Sequence, residues 1–196
     1  SAIKQVCGNA NYADDNPEPH GCLHAYPVLA PITSGFIKSI DTSKALEVAG
    51  VKRILSADDV PGKLDIGPIF PGDVLLTNHE IQYHGQPVLV VVADSYEMAR
   101  RAARLVVIEC EQTAPILDIK EAIKKGHWVR PPHSLNRGNS EQAINNAAHQ
   151  LKGEIHIGGQ EHFYLEGQIA LAQPDNDGGI HVQCSTQHPT EVQHLV

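Results

Sequence analysis

Apolar positions along this chain fall into short runs, broken by proline, glycine and Asx residues. Two such runs, 22–30 and 34–40, are split by Pro31. Phe36, Ile37 and Ile40 give the second run strand character. Asp41-Thr42-Ser43 offers helix caps ahead of Lys44-Ala45-Leu46-Glu47-Val48, and Gly50 closes that helix. Residues 51–55 predict a strand and 56–62 a short capped turn. Gly67-Pro68 and Pro71-Gly72 then punctuate a long loop. Residues 88–93 are a near-continuous aliphatic run, the pattern of a strand buried on both faces. Asp94-Ser95 caps a helix over 96–104, with Met98 and Ala102 on one face. Residues 105–110 predict a further strand. Strand, helix and strand in that order imply a small α/β layer.

The pattern changes near residue 117. Pro131-Pro132, Gly138 and the asparagines 136 and 139 interrupt it, so 117–150 is expected to connect two domains, ordered by packing along a surface rather than by a core. Within it, 140–149 offers a short helix capped by Asn139 or Ser140. Further on, Ile155 and Ile157 alternate with polar residues, and 168–172 predicts a second strand. Ile180, Val182 and Cys184 alternate with His181 and Gln183, a half-buried strand. Asp175-Asn176-Asp177-Gly178-Gly179 is a hairpin turn ahead of it, and Pro189 suits the first turn of a helix. Three strands and one opening helical turn cannot enclose a core. The expected division is therefore a domain over 1–116, a connector over 117–150 and the truncated start of a second domain over 151–196.

Composition narrows the function classes. The 196 residues suit one domain or two small ones, and 41% hydrophobic content implies a soluble globular protein with a real core. A formal charge of -8 without a basic block argues against nucleic acid and anionic membrane surfaces as partners. The longest apolar run, 88–93, is too short to span a bilayer. Ser1-Ala2-Ile3-Lys4-Gln5 shows no charged start followed by an apolar stretch, so no signal peptide is visible. Cys7, Cys22, Cys110 and Cys184 form no Cys-x-x-Cys pair, which argues against a structural zinc or iron–sulfur site in this chain. Cys110 and Cys184 read as small buried hydrophobes. Reduced thiols in a cytoplasmic protein are the default, with a Cys7–Cys22 disulfide as the alternative.

Among 12 histidines, His162 stands four positions before Glu166. On a helix that spacing could hold zinc, but on a strand the two lie about 13 Å apart, so no metal ligand is assigned. Neither Gly-x-Ser-x-Gly nor a glycine-rich phosphate loop occurs, so hydrolase and nucleotide-binding readings lack support. The best candidate chemistry lies in Gly158-Gly159-Gln160-Glu161-His162-Phe163-Tyr164-Leu165-Glu166. Two glycines let a backbone come close to a ligand, and the Gln160 amide follows them directly. Its amide donates to an anionic or oxo-type ligand, with Phe163 and Tyr164 packed beneath, or it bonds to neighbouring backbone as most buried amides do. Glu161 and Glu166 read as surface carboxylates rather than acid/base residues.

Taken with Ser185-Thr186-Gln187-His188-Pro189, this stretch resembles the molybdenum-binding subunit of the xanthine dehydrogenases, in the xanthine oxidase/aldehyde oxidase family. The resemblance is closest to the bacterial enzymes with separate subunits. It extends to Gly8-Asn9-Ala10-Asn11-Tyr12-Ala13-Asp14-Asp15, Leu55-Ser56-Ala57-Asp58-Asp59-Val60-Pro61-Gly62, His84-Gly85-Gln86-Pro87-Val88 and Ala99-Arg100-Arg101-Ala102-Ala103. It implies an α/β (α+β) hammerhead domain, then the start of a molybdenum-cofactor-binding domain. It also implies that Gln160 hydrogen-bonds to the oxo-molybdenum centre of a molybdopterin cofactor. The implied chemistry is oxidation of hypoxanthine and xanthine to urate, with oxygen from water. Electrons would leave through 2Fe-2S clusters and FAD on a partner subunit or domain. The family's other site residues belong to later segments, so no catalytic residue is named here and the isolated fragment is expected to be inactive. The alternatives are an aldehyde oxidoreductase or another molybdenum hydroxylase of the same superfamily, or a non-catalytic assembly module.

Overall fold

The computed structural model describes residues 2–196. They divide into two units, one running up to Pro115 and resuming over Glu166–Val196, the other Ile116–Leu165. The first unit opens with helix α1 (Ala2–Val6) and a 3-10 turn at Ala13–Asp15. Strands β1 (His24–Leu29) and β2 (Gly35–Asp41) follow, then α2 (Ser43–Leu46), β3 (Val51–Leu55) and a second 3-10 turn at Ala57–Asp59. Beyond the long loop come β4 (Glu80–Ile81), β5 (Pro87–Ala93), α3 (Tyr96–Ala103) and β6 (Val107–Gln112). These six strands form two three-stranded sheets, ordered β1-β5-β3 and β4-β2-β6. Every pairing in them is antiparallel.

The aliphatic run becomes the central strand of the first sheet. Ala93 pairs with His24 on one side and Val51 on the other. Val88, Leu89, Val91 and Ala93 are all buried, as that run predicts. Ser95 caps α3 by accepting a hydrogen bond from the Met98 amide at 3.3 Å. The helix buries Ala99, Ala102 and Ala103 in the same cluster as β5. Alanines there let helix and sheet approach closely. Met98 stays more exposed than expected, but its sulfur occupies the place a side chain at Gly50 would need. Ile37, Ile40, Ile108 and Cys110 of the second sheet pack against this cluster. The strand–helix–strand order does not produce a single layer: β6 leaves β5 and pairs with β2 instead.

Three of the recognised segments carry local structure. Ser56 and Asp59 form a capping box, with the Ser56 amide 2.9 Å from Asp59 Oδ2. Arg53 Nη2 lies 2.7 Å from the other oxygen. The Ser56 backbone donor first, and then the Arg53 side chain, hold the Asp59 carboxyl below its ordinary value. A depressed carboxylate contributes stability at pH above the unfolded-state value, and that contribution is lost as pH falls through the folded value. Asp59→Asn is therefore expected to flatten the acid limb of Tm against pH, leaving Tm near neutral pH only slightly lower. An unchanged acid limb would show that the capping box contributes nothing. Gln86 is buried, and its Oε1 accepts from the Gln82 amide at 2.8 Å, so in its segment it braces the turn ahead of β5. The alanines of 99–103 are the buried face of α3.

The second unit holds α4 (Ile119–Lys125) and α5 (Ser140–Asn145). The α5 start fits the Asn139 cap, whose Oδ1 accepts from the Gln142 amide at 3.0 Å. Almost every residue of this unit is exposed, with Ile116 and Ala122 only half-buried. The chain then returns to the first unit as a hairpin, β7 (Ala170–Pro174) with β8 (Ile180–Cys184), followed by α6 (Pro189–Leu195). Asp175 Oδ1 accepts the Gly179 amide at 2.6 Å and so closes the expected turn. All four cysteines are free thiols, and burial pushes the Cys110 thiol up. Cys110 and Cys184 are half-buried rather than fully buried. Among the described residues, no helix is long and apolar enough to cross a membrane.

Candidate functional site

Gln160 lies in a stretch, 151–164, without regular secondary structure. The alternation at Ile155 and Ile157 does not become a strand: both side chains are exposed, at 83% and 77%. A strand needs a neighbour to take its N–H and C=O groups, and none of the eight strands pairs with this segment. Nor does Phe163 pack beneath Gln160 within this chain, since it is 93% exposed. His162 and Glu166 therefore share neither a helix face nor a strand face. Among the described residues, no group of three or more His, Cys, Asp or Glu gathers to hold a metal.

The two glycines before Gln160 have no internal explanation. Neither has a positive φ. A Cβ built on either would meet nothing within 4 Å. Turn geometry and internal packing therefore leave both positions free for a larger residue. Gly62, Gly153 and Gly167 share both features, so open space alone does not mark a ligand site. Phe163 adds backbone strain at the other end of the segment. Its φ of 49° is the sole positive value among non-glycine described residues. For a bulky side chain that conformation costs on the order of 1–3 kcal/mol.

Glu166 sits differently from Glu161. It is half-buried, and its Oε1 accepts the Ala13 backbone N–H at 2.9 Å. Asn16 Nδ2, one turn further, donates to Gln183 Oε1 at 2.9 Å. The segment 8–15 thus meets the end of the segment 158–166 and the β8 strand. A depression of about 420 Å³ lies at this junction. The bonded residues are 153 positions apart, and no local pattern announces them. A second depression, about 660 Å³, lies between Gly67-Pro68 and the start of α6, where Gln187, His188 and Glu191 line it. There the His188 amide donates to Thr186 Oγ1 at 3.0 Å, closing a side-chain turn just ahead of α6.

Residues 7–114 match the model of the aldehyde oxidase and xanthine dehydrogenase a/b hammerhead domain. The chain belongs to this family. Residues 123–196 of this hammerhead protein also match the molybdopterin cofactor-binding domain. The xanthine dehydrogenase of Drosophila pseudoobscura pseudoobscura is 40% identical over 199 residues, covering 100% of this chain and 15% of the relative. Aldehyde oxidase 4 of Cavia porcellus is 36% identical over 200 residues, covering 100% and 14%. Among solved structures, the aldehyde oxidoreductase from Desulfovibrio gigas superposes with a TM-score of 0.78 at 27% identity, over 92% of this chain and 22% of that one. The chain spans about a seventh of the length of the curated relatives it matches. The hammerhead fold followed by cofactor-domain sequence agrees with the architecture implied by the sequence motifs.

Proposed function

We propose that this chain belongs to a molybdenum hydroxylase that oxidises hypoxanthine and xanthine to urate, and that Gln160 is its contact to the molybdenum-pterin group. The observation that supports the cofactor contact is that the Gly158-Gly159 pair and the exposed Gln160 amide directly after it lie inside residues 123–196, which match the molybdopterin cofactor-binding domain. The donor set fits an oxo group: a neutral amide that donates without adding charge, on a backbone open to close approach. When bound, the cofactor supplies the two-electron oxidation and the activation of water. Gln160 would hold the group by donating its amide N–H to an oxo oxygen. Electrons would leave to a component carrying 2Fe-2S clusters and FAD. Free thiols throughout suit a reducing, cytoplasmic compartment.

The purine assignment is supported by xanthine dehydrogenases at up to 40% identity, while aldehyde oxidases reach 36–37%, as close as some of the xanthine dehydrogenases. The 196-residue chain alone is expected to be inactive, because the unit carrying Gln160 buries almost nothing. The test is substrate profiling of the intact enzyme. Stoichiometric molybdenum and hypoxanthine turnover above that of aromatic aldehydes are expected. Preference for aldehydes would transfer the assignment to an aldehyde oxidoreductase, and a metal-free, inactive enzyme would leave only an assembly role.

A further inference from the structure

The segment bearing Gln160 has little internal support, yet it ends on the one half-buried carboxylate of the recognised stretch. The Ala13 N–H opens a 3-10 turn, a position whose donor has no partner within the turn. Glu166 Oε1 takes that donor at 2.9 Å, and a carboxylate acceptor makes the bond stronger than a neutral one. The turn itself is fixed: Asp15 Oδ2 accepts the Tyr12 amide at 2.8 Å, and Tyr12 Oη donates to Gln5 Oε1 at 2.9 Å. The bond from Asn16 to Gln183 ties the same turn to β8. Glu166 therefore grips a braced structure, and it lies six positions after Gln160.

We propose that Glu166 is a positioning residue, holding the point at which the Gly158–Gln160 loop ends so that the Gln160 amide leaves from a fixed place. The proposal rests on Gln160 being the cofactor contact. A carboxylate acting only as a fold tie would stabilise the junction without influencing Gln160.

Two measurements on the intact enzyme separate these roles. In hydrogen-exchange mass spectrometry, the peptide containing Ala13 is expected to exchange roughly ten-fold faster in Glu166→Ala and unchanged in Glu161→Ala. Equal exchange in all three forms removes the clamp, whatever Gln160 does. In kinetics, Glu166→Ala is expected to lower kcat about ten-fold in the parent and not at all in a Gln160→Ala background. Glu166→Gln, which keeps an oxygen acceptor, is expected to restore most of the loss. Effects that multiply in the double variant would make Glu166 a fold tie only and overturn the proposal. Unchanged kcat in Gln160→Ala alone would instead remove the reading on which it rests.

Discussion

Gly35→Ala is expected to destabilise the hammerhead unit by about 3 kcal/mol or more, read as a lower denaturant midpoint at constant slope. Gly35 is buried at the start of β2, where it pairs with Ile81 on one side and Gln112 on the other. Its φ of 150° lies where side chains are rarely tolerated. A Cβ there would collide with the Glu111 carbonyl oxygen and lie 2.9 Å from Ile32 Cδ1 and 3.0 Å from Gln112 Cα. Two of those neighbours are backbone of the paired strand β6, so relief requires breaking the ladder that holds the second sheet. Two controls isolate the cause. Gly85 has a φ of 85° but open space, so Gly85→Ala is expected to cost only the conformational term, about 1 kcal/mol. Gly62 has neither constraint, and Gly62→Ala is expected to be neutral or slightly stabilising. Equal midpoints for all three variants would contradict the register of β2 against β6.

That register was not legible in the sequence, and the reason is physical. Strand 88–93 and helix 96–104 could be read from residues because their signals are local: an aliphatic run, a Ser95 cap and alanines at helical spacing. Which sheet the next strand joins depends on neighbours 70 positions away, such as the pairing of Ser39 with Glu109. Strand β4, with two residues, is too short to carry a period. Helix α4 was missed although its signals were present. Asp118 caps it by accepting the Glu121 amide at 2.8 Å, and Gly126 ends it with a φ of 66°. The proline-rich residues beyond it drew the whole stretch into one connector. The opposite error occurred at Ile155 and Ile157, where a correct local alternation had no strand to pair with. The candidate site divides in the same way. Gln160 stands out from its immediate neighbours, whereas the bond from Ala13 to Glu166 exists only in three dimensions.

Gln160→Ala in the intact enzyme is expected to lower kcat roughly 100-fold, the scale for removing one donor aimed at charge in a reacting centre. Stability and subunit assembly should be unchanged. Within the described chain Gln160 is exposed and makes no side-chain hydrogen bond, so truncation opens no cavity and strands no partner. The chain's own fold therefore changes by no more than about 0.5 kcal/mol. Gln160→Glu sharpens the test, because a carboxylate at nearly constant shape can only accept. If the amide N–H is the working group, both variants lose turnover together while Tm stays put. If the side chain serves the fold, the order reverses: Tm falls, kcat per folded molecule holds, and Gly158-Gly159 would need another reason to be glycine. Molybdenum content of each variant decides whether the lost step is binding or turnover. Full occupancy with slow turnover places Gln160 in the reaction, and loss of the metal places it in holding the cofactor.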